Sequence, residues 1–142
     1  MIDMREHVAF VASKELASPG GHYTHAVRFG DLVFVSGQLG IRADGSHTAH
    51  LPFEEQVQQA LKNLLTALRS AGAAAADVLK VTVYIVDVER WPRFNTLYAE
   101  VMGDARPART VVPVAQLHHG YLVEIDAIAV CSGDSRHQDD VR

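Results

Sequence analysis

The chain has 142 residues, 48% of them apolar and 21% charged, and a net charge of -4 at neutral pH. That length suits one domain around one core, and the composition is that of a globular protein rather than a disordered or fibrous one. The negative balance argues against a nucleic-acid binder that works by bulk charge, and a single cysteine, Cys131, leaves no internal disulfide to form.

The first residues carry charge (Asp3, Arg5, Glu6) where a secretory signal would need an apolar run, and no stretch reaches the ~20 apolar residues of a membrane span. A cytoplasmic protein is expected. Residues 1–17 read as a poorly specified extension, and Ser18-Pro19-Gly20-Gly21 is a strong turn signal, so the ordered domain is expected over 18–131. Two β-prone runs, 23–28 and 31–37, flank Phe29-Gly30-Asp31 and predict a hairpin, because Gly30 tolerates a positive φ. Residues 41–52, with Asp44-Gly45 among many polar neighbours, read as a long surface loop.

From Phe53 to Ser70 the apolar residues Phe53, Val57, Ala60, Leu61, Leu64, Leu65 and Leu68 fall on one helical face. Gly72 ends that helix. Val81, Val83 and Ile85 then alternate with Lys80, Thr82 and Tyr84, the period of a strand over 77–87. A second helix is expected over 88–102, with Phe94, Leu97, Tyr98 and Val101 on one face and Gly103 beyond its end. Two β-rich runs, 109–117 and 121–131, close the domain, and the polar residues 132–142 read as a disordered tail. The order predicts an α+β fold, a mixed sheet with two helices on one face.

In the last strand Glu124 and Asp126 share a face with Leu122, Ile128 and Val130. Carboxylates on an apolar surface need cations, backbone donors or a wet cleft. Arg109, set among Ala108, Thr110, Val111 and Val112, wants an anion, and its planar fork fits a carboxylate in two-point contact. An internal ion pair from Arg109 to Glu124 or Asp126 is the competing reading. The eight histidines include the pairs His22/His25 and His47/His50. They lack a metal-site spacing, and neighbouring His118 and His119 are expected to point to opposite sides of an extended segment, so no metal is expected. Phosphate-binding glycine motifs and a serine-hydrolase elbow are missing as well, so no cofactor is expected.

Six stretches, taken together and in order, resemble the Rid family, also called YjgF or L-PSP. They are Gly21-His22-Tyr23-Thr24-His25-Ala26-Val27, Val33-Phe34-Val35-Ser36-Gly37-Gln38, Val81-Thr82-Val83-Tyr84-Ile85-Val86-Asp87, Phe94-Asn95-Thr96-Leu97-Tyr98, Pro107-Ala108-Arg109-Thr110-Val111 and Val123-Glu124-Ile125-Asp126-Ala127-Ile128-Ala129. The resemblance implies a chorismate-mutase-like α+β fold, a homotrimer with a central barrel and clefts between subunits. It also implies hydrolysis of small 2-imino acids, such as 2-iminopropionate, to 2-oxo acids and ammonia. By the same resemblance Arg109 would bind the substrate carboxylate and Glu124 would handle water, with Tyr23, Ser36 and Asn95 lining the cleft. Two positions depart from the family pattern: Gly21-His22-Tyr23 stands where Gly-Pro-Tyr is usual, and Val111 stands where many members have cysteine, keeping only the backbone carbonyl. The rivals are a trimer that binds 2-oxo acids without turnover and an endoribonuclease or translation inhibitor, against which the acidic balance speaks.

Overall fold

The structure, a computed structural model, describes residue 1 and residues 3–131. The tail expected at 132–142 lies outside the described residues. Six strands form one sheet in the order β1-β2-β3-β6-β4-β5, built from β1 (Val8–Val11), β2 (Ala26–Phe29), β3 (Leu32–Gln38), β4 (Val78–Val86), β5 (Ala108–Val114) and β6 (Val123–Val130). Only β4 and β5 run parallel; the other neighbours are antiparallel. Helices α1 (Phe53–Ser70) and α2 (Trp91–Met102) pack on each other and on one face, as expected for the α+β class. No helix among the described residues is long and apolar enough to cross a membrane.

Helix α1 forms over the residues its pattern predicts. Val57, Ala60, Leu61, Leu64, Ala67 and Leu68 are fully buried, Glu54 and Glu55 sit at the positive end of the helix dipole, and Arg69 at the other. Gly72, at φ 87°, lets the Ala73 amide reach back to the Leu68 carbonyl at 2.9 Å and so closes the helix. In α2 the buried stripe is Phe94, Leu97, Tyr98 and Met102, whereas Val101, expected on that face, is 37% exposed. The helix also starts three residues later than expected. A 3-10 turn over Val88–Arg90, capped by Asp87 accepting from the Glu89 amide at 3.0 Å, precedes it.

Each inner strand alternates. Val33 and Val35, Val81, Val83 and Ile85, and Val123, Ile125, Ala127 and Ala129 face the helices and are buried. The opposite face carries Phe34, Thr82, Tyr84, Glu124, Asp126 and Ile128, and among the described residues no helix covers it.

Three further expectations change. Residues before Ser18 belong to the ordered fold: Val8–Val11 pairs along β2, and Leu16 joins the core. No pattern in so short a run announces the strand, because pairing to β2 creates it. The first hairpin strand begins at Ala26 rather than Tyr23, since His25 turns its ring inward. There Nδ1 accepts from the Ser13 amide at 2.9 Å and Nε2 meets the Ala17 carbonyl at 2.8 Å. The 41–52 segment is a loop but not wholly a surface one. Thr48 is buried, and side-chain amides of α1 tie the segment down: Asn63 donates to the Leu39 and Ile41 carbonyls, and Gln56 to those of Ala49 and Leu51.

Candidate functional site

A cleft of ≈ 850 Å³ opens between the 16–21 segment, the end of β3, the loop after it and the 118–119 turn; Tyr23, Ser36, Gly37, His47, His118 and Glu124 are among its walls. Glu124 enters from β6, opposite Tyr84 of β4. The register of β3 against β6 slips between Val35 and Gln38, and Gly37 lies in that irregularity with the Glu124 carboxylate directly over it. A Cβ at Gly37 would overlap Oε1 and lie 3.1 Å from Cδ. Bulges of this kind re-aim side chains, and here the missing side chain makes the seat for the carboxylate.

Glu124 is half-buried and has no hydrogen-bond partner among the described residues. Burial pushes its pKa above the usual carboxylate value; nearby His118 draws it back in part, and Asp126 pushes it up further. Asp126, two residues along on the same face, is handled differently. The Tyr84 hydroxyl donates to it at 3.3 Å, and it does not line the cleft. Burial raises its pKa too, with Tyr84 and Thr82 opposing, while the Asp126 charge pushes the Tyr84 phenol up. The two carboxylates therefore separate into one hydrogen-bonded group and one that faces open space.

Ser36 donates its hydroxyl to the Thr24 carbonyl at 2.6 Å, so its oxygen offers lone pairs to the cleft. Tyr23 is 53% exposed, and its hydroxyl accepts from the Gly20 amide at 3.3 Å. His22 is exposed and stands outside the cleft wall.

Arg109 lies elsewhere. In β5, an edge strand, it is opposite buried Val81, so its side chain rises on the helix face of the sheet. Its Nη2 donates to Asn95 Oδ1 at 3.0 Å, and its guanidinium lies 4.7 Å from the Trp91 ring centroid and 4.6 Å from that of Tyr98. Among the described residues Arg109 forms no ion pair, so the internal salt bridge to Glu124 or Asp126 is not made. Val111, two residues on, shares that face and packs against the core. One chain thus brings Tyr23, Ser36 and Glu124 together, and separately Arg109, Asn95 and Val111.

The histidines sort by environment. His25 is a buried structural tie. His118 and His119 do not point to opposite sides: a 3-10 turn with His119 at φ 61° brings both to the cleft. The His119 ring lies 4.5 Å from that of His47, whose Nδ1 meets the buried Tyr121 hydroxyl at 3.0 Å. Nothing local in the sequence announces the left-handed residue, although Gly120 beside it is a turn signal. Among the described residues no three His, Cys, Asp or Glu side chains converge as metal ligands.

A family model described as Endoribonuclease L-PSP matches residues 13–131. The chain belongs to this family, the Rid/YjgF (L-PSP) family. A 2-iminobutanoate/2-iminopropanoate deaminase of Dermatophagoides farinae is 34% identical over 112 residues, covering 79% of this chain and 90% of that protein. YyfA of Yersinia pestis, solved as a Rid-family protein, superposes with a TM-score of 0.83 at 32% identity over 87% of this chain and 98% of its own. Escherichia coli TdcF, solved with bound serine, gives 0.82 at 28% identity over 87% and 99%. Within the Rid/YjgF match, which starts at residue 13, fall Leu16 and the whole cleft described above.

Proposed function

We propose that the protein hydrolyses small 2-imino acids to 2-oxo acids and ammonia, in a cleft that a second copy of the chain completes within a homotrimer. The observation that carries this reading is the pairing of an unused cation with an unused carboxylate: Arg109 makes no ion pair and Glu124 no hydrogen bond among the described residues. In one chain they stand on opposite faces of the sheet, two strands apart, roughly 10 Å sideways before any offset along the strands. A three-carbon acid cannot span that, so the two groups serve one substrate only across a boundary between chains.

In the reaction, the Arg109 fork takes the substrate carboxylate in two-point contact and fixes the neighbouring C=N carbon, removing an orientational cost. Glu124 accepts a proton from water as the water oxygen bonds to that carbon. That proton passes to nitrogen to give a carbinolamine; Glu124 then takes the hydroxyl proton and delivers it to the amino nitrogen, so that the C–N bond breaks with its electron pair, ammonia leaves and C=O forms. A carboxylate whose proton affinity is raised by burial suits both halves of this transfer. Ser36 offers an acceptor and Tyr23 a wall. The relative named as an imine deaminase supports the same chemistry.

The test is release of 2-oxo acid and ammonia from freshly generated 2-iminopropionate by pure protein. Arg109→Ala and Glu124→Gln should each remove the acceleration while the fold persists; full activity in both would end the proposal. A protein that binds 2-oxo acids without turnover is the rival, and TdcF, solved with bound serine, supports binding of a small carboxylate ligand; binding without acceleration in the same assay would select it.

A further inference from the structure

The environment of Arg109 carries more than a free cation. An arginine on an edge strand would ordinarily sample many rotamers, and ordering such a side chain on binding costs conformational entropy. Here three residues of α2 hold it. Trp91, Asn95 and Tyr98 are spaced i, i+4 and i+7, which places them on one stripe of the helix. Trp91 and Tyr98 present their rings to the guanidinium at 4.7 and 4.6 Å, and Asn95 Oδ1 accepts a hydrogen bond from Nη2 at 3.0 Å.

We propose that Trp91, Asn95 and Tyr98 form a clamp that positions Arg109 for edge-on capture of a planar carboxylate. This rests on the reading of Arg109 as the substrate-carboxylate group. Rings against the guanidinium restrict approach through its faces and leave its edge, where the remaining N–H donors lie in one plane. A coplanar carboxylate matches that edge with two parallel bonds. The clamp residues are assigned to the arginine they touch and act on substrate through it, so they are positioning residues. Tyr98 also packs in the core and Trp91 against it, but Asn95, exposed on the helix, has no core to fill, and its contact with the guanidinium is made outside the core.

The experiment measures the dissociation constant of 2-oxobutanoate and of its uncharged amide, with steady-state turnover of 2-iminopropionate, for wild type, Arg109→Ala, Trp91→Leu, Trp91→Phe and Asn95→Ala. Trp91→Leu should weaken oxo-acid binding and raise KM about tenfold, the scale of a partly desolvated cation–π contact, with kcat changed less than about twofold. Binding of the amide should not change, and Trp91→Phe should restore most of the loss because it restores an aromatic face. Asn95→Ala should raise KM by about three- to tenfold, the scale of the net contribution of one exposed hydrogen bond. Because Asn95 is exposed, that variant keeps the test open if Trp91→Leu fails to fold. Oxo-acid binding at wild-type strength in folded Trp91→Leu or in Asn95→Ala, with Arg109→Ala binding nothing, would overturn the clamp and leave the proposed function standing. Wild-type binding in Arg109→Ala would remove both.

Discussion

The Arg109 guanidinium and the Glu124 carboxylate lie on opposite faces of one sheet. Arg109 is opposite Val81, which is buried under the helices, and Glu124 is opposite Tyr84, which faces away from them. Strand geometry enforces this: Val81 and Tyr84 are an odd number of residues apart in a regular strand, so their side chains alternate to opposite sides. No side-chain rotation brings the two groups onto one three-carbon ligand.

Two inactive variants should therefore complement each other. When Arg109→Ala and Glu124→Gln are mixed at equal concentration, dissociated and reassembled, random assembly of the proposed trimer would leave about a quarter of its inter-chain sites with both groups intact, and activity should return to about that fraction of wild type. Activity measured before and after reassembly checks this. Reassembled mixed oligomers that stay inactive would place both groups in one subunit's site or exclude one of them.

Glu124 has a predictable pH signature. Burial raises the folded pKa above that of the unfolded chain, so the folded state binds the proton more tightly. Stability contributed by this group is then present at low pH and falls as pH rises from the ordinary carboxylate range through the raised folded value. Glu124→Gln should accordingly raise Tm at pH 7 and lose that advantage at pH 3, while cutting kcat/KM by about a hundredfold or more if Glu124 moves the proton. The acid limb of kcat/KM in wild type should lie above the usual carboxylate pKa. Melting curves and pH–rate profiles on both proteins check it; a variant less stable than wild type at pH 7 would contradict the burial argument.

Much of this was readable from spacing. Helix α1 and strands β4 and β6 follow from apolar period alone, and the odd placement of Glu124 and Arg109 among apolar residues marked them for attention. What spacing could not carry was anything set by partners distant in sequence. Val8–Val11 is a strand because Ala26–Phe29 accepts it, and His25 leaves the hairpin because Ser13 and Ala17 offer its ring two backbone partners. The same limit applied to the site. Alternation separates Arg109 from its neighbours Ala108 and Thr110, but which face of β5 the helices cover depends on packing, and so does the meeting of Arg109 with Trp91.

His25 should be worth measurable stability. The residue is 5% exposed, and its ring joins the Ser13 amide to the Ala17 carbonyl, fastening the segment that forms one wall of the cleft. His25→Leu keeps volume but leaves both backbone groups without that partner, at a cost of about 1–3 kcal/mol. A lower Tm is expected, along with faster amide hydrogen exchange at Ser13 than in the sheet. An unchanged Tm with Ser13 still protected would mean the ring is replaceable.

Gly37 offers the sharpest test of the seat beneath Glu124. Its backbone is not in the left-handed region, so alanine is conformationally acceptable there, and the conflict is confined to the Glu124 carboxylate that the new Cβ would overlap. Since that carboxylate is the far end of a flexible side chain, it can swing aside and the fold should survive with Tm close to wild type. The displacement is on the order of 1 Å, and misplacement of a reacting group by that much can cost about a hundredfold. Gly37→Ala should thus lower kcat/KM for 2-iminopropionate by about ten- to a hundredfold while 2-oxobutanoate binding through Arg109 is largely kept. Wild-type turnover in a folded Gly37→Ala protein would show that the position of Glu124 over Gly37 has no part in the chemistry.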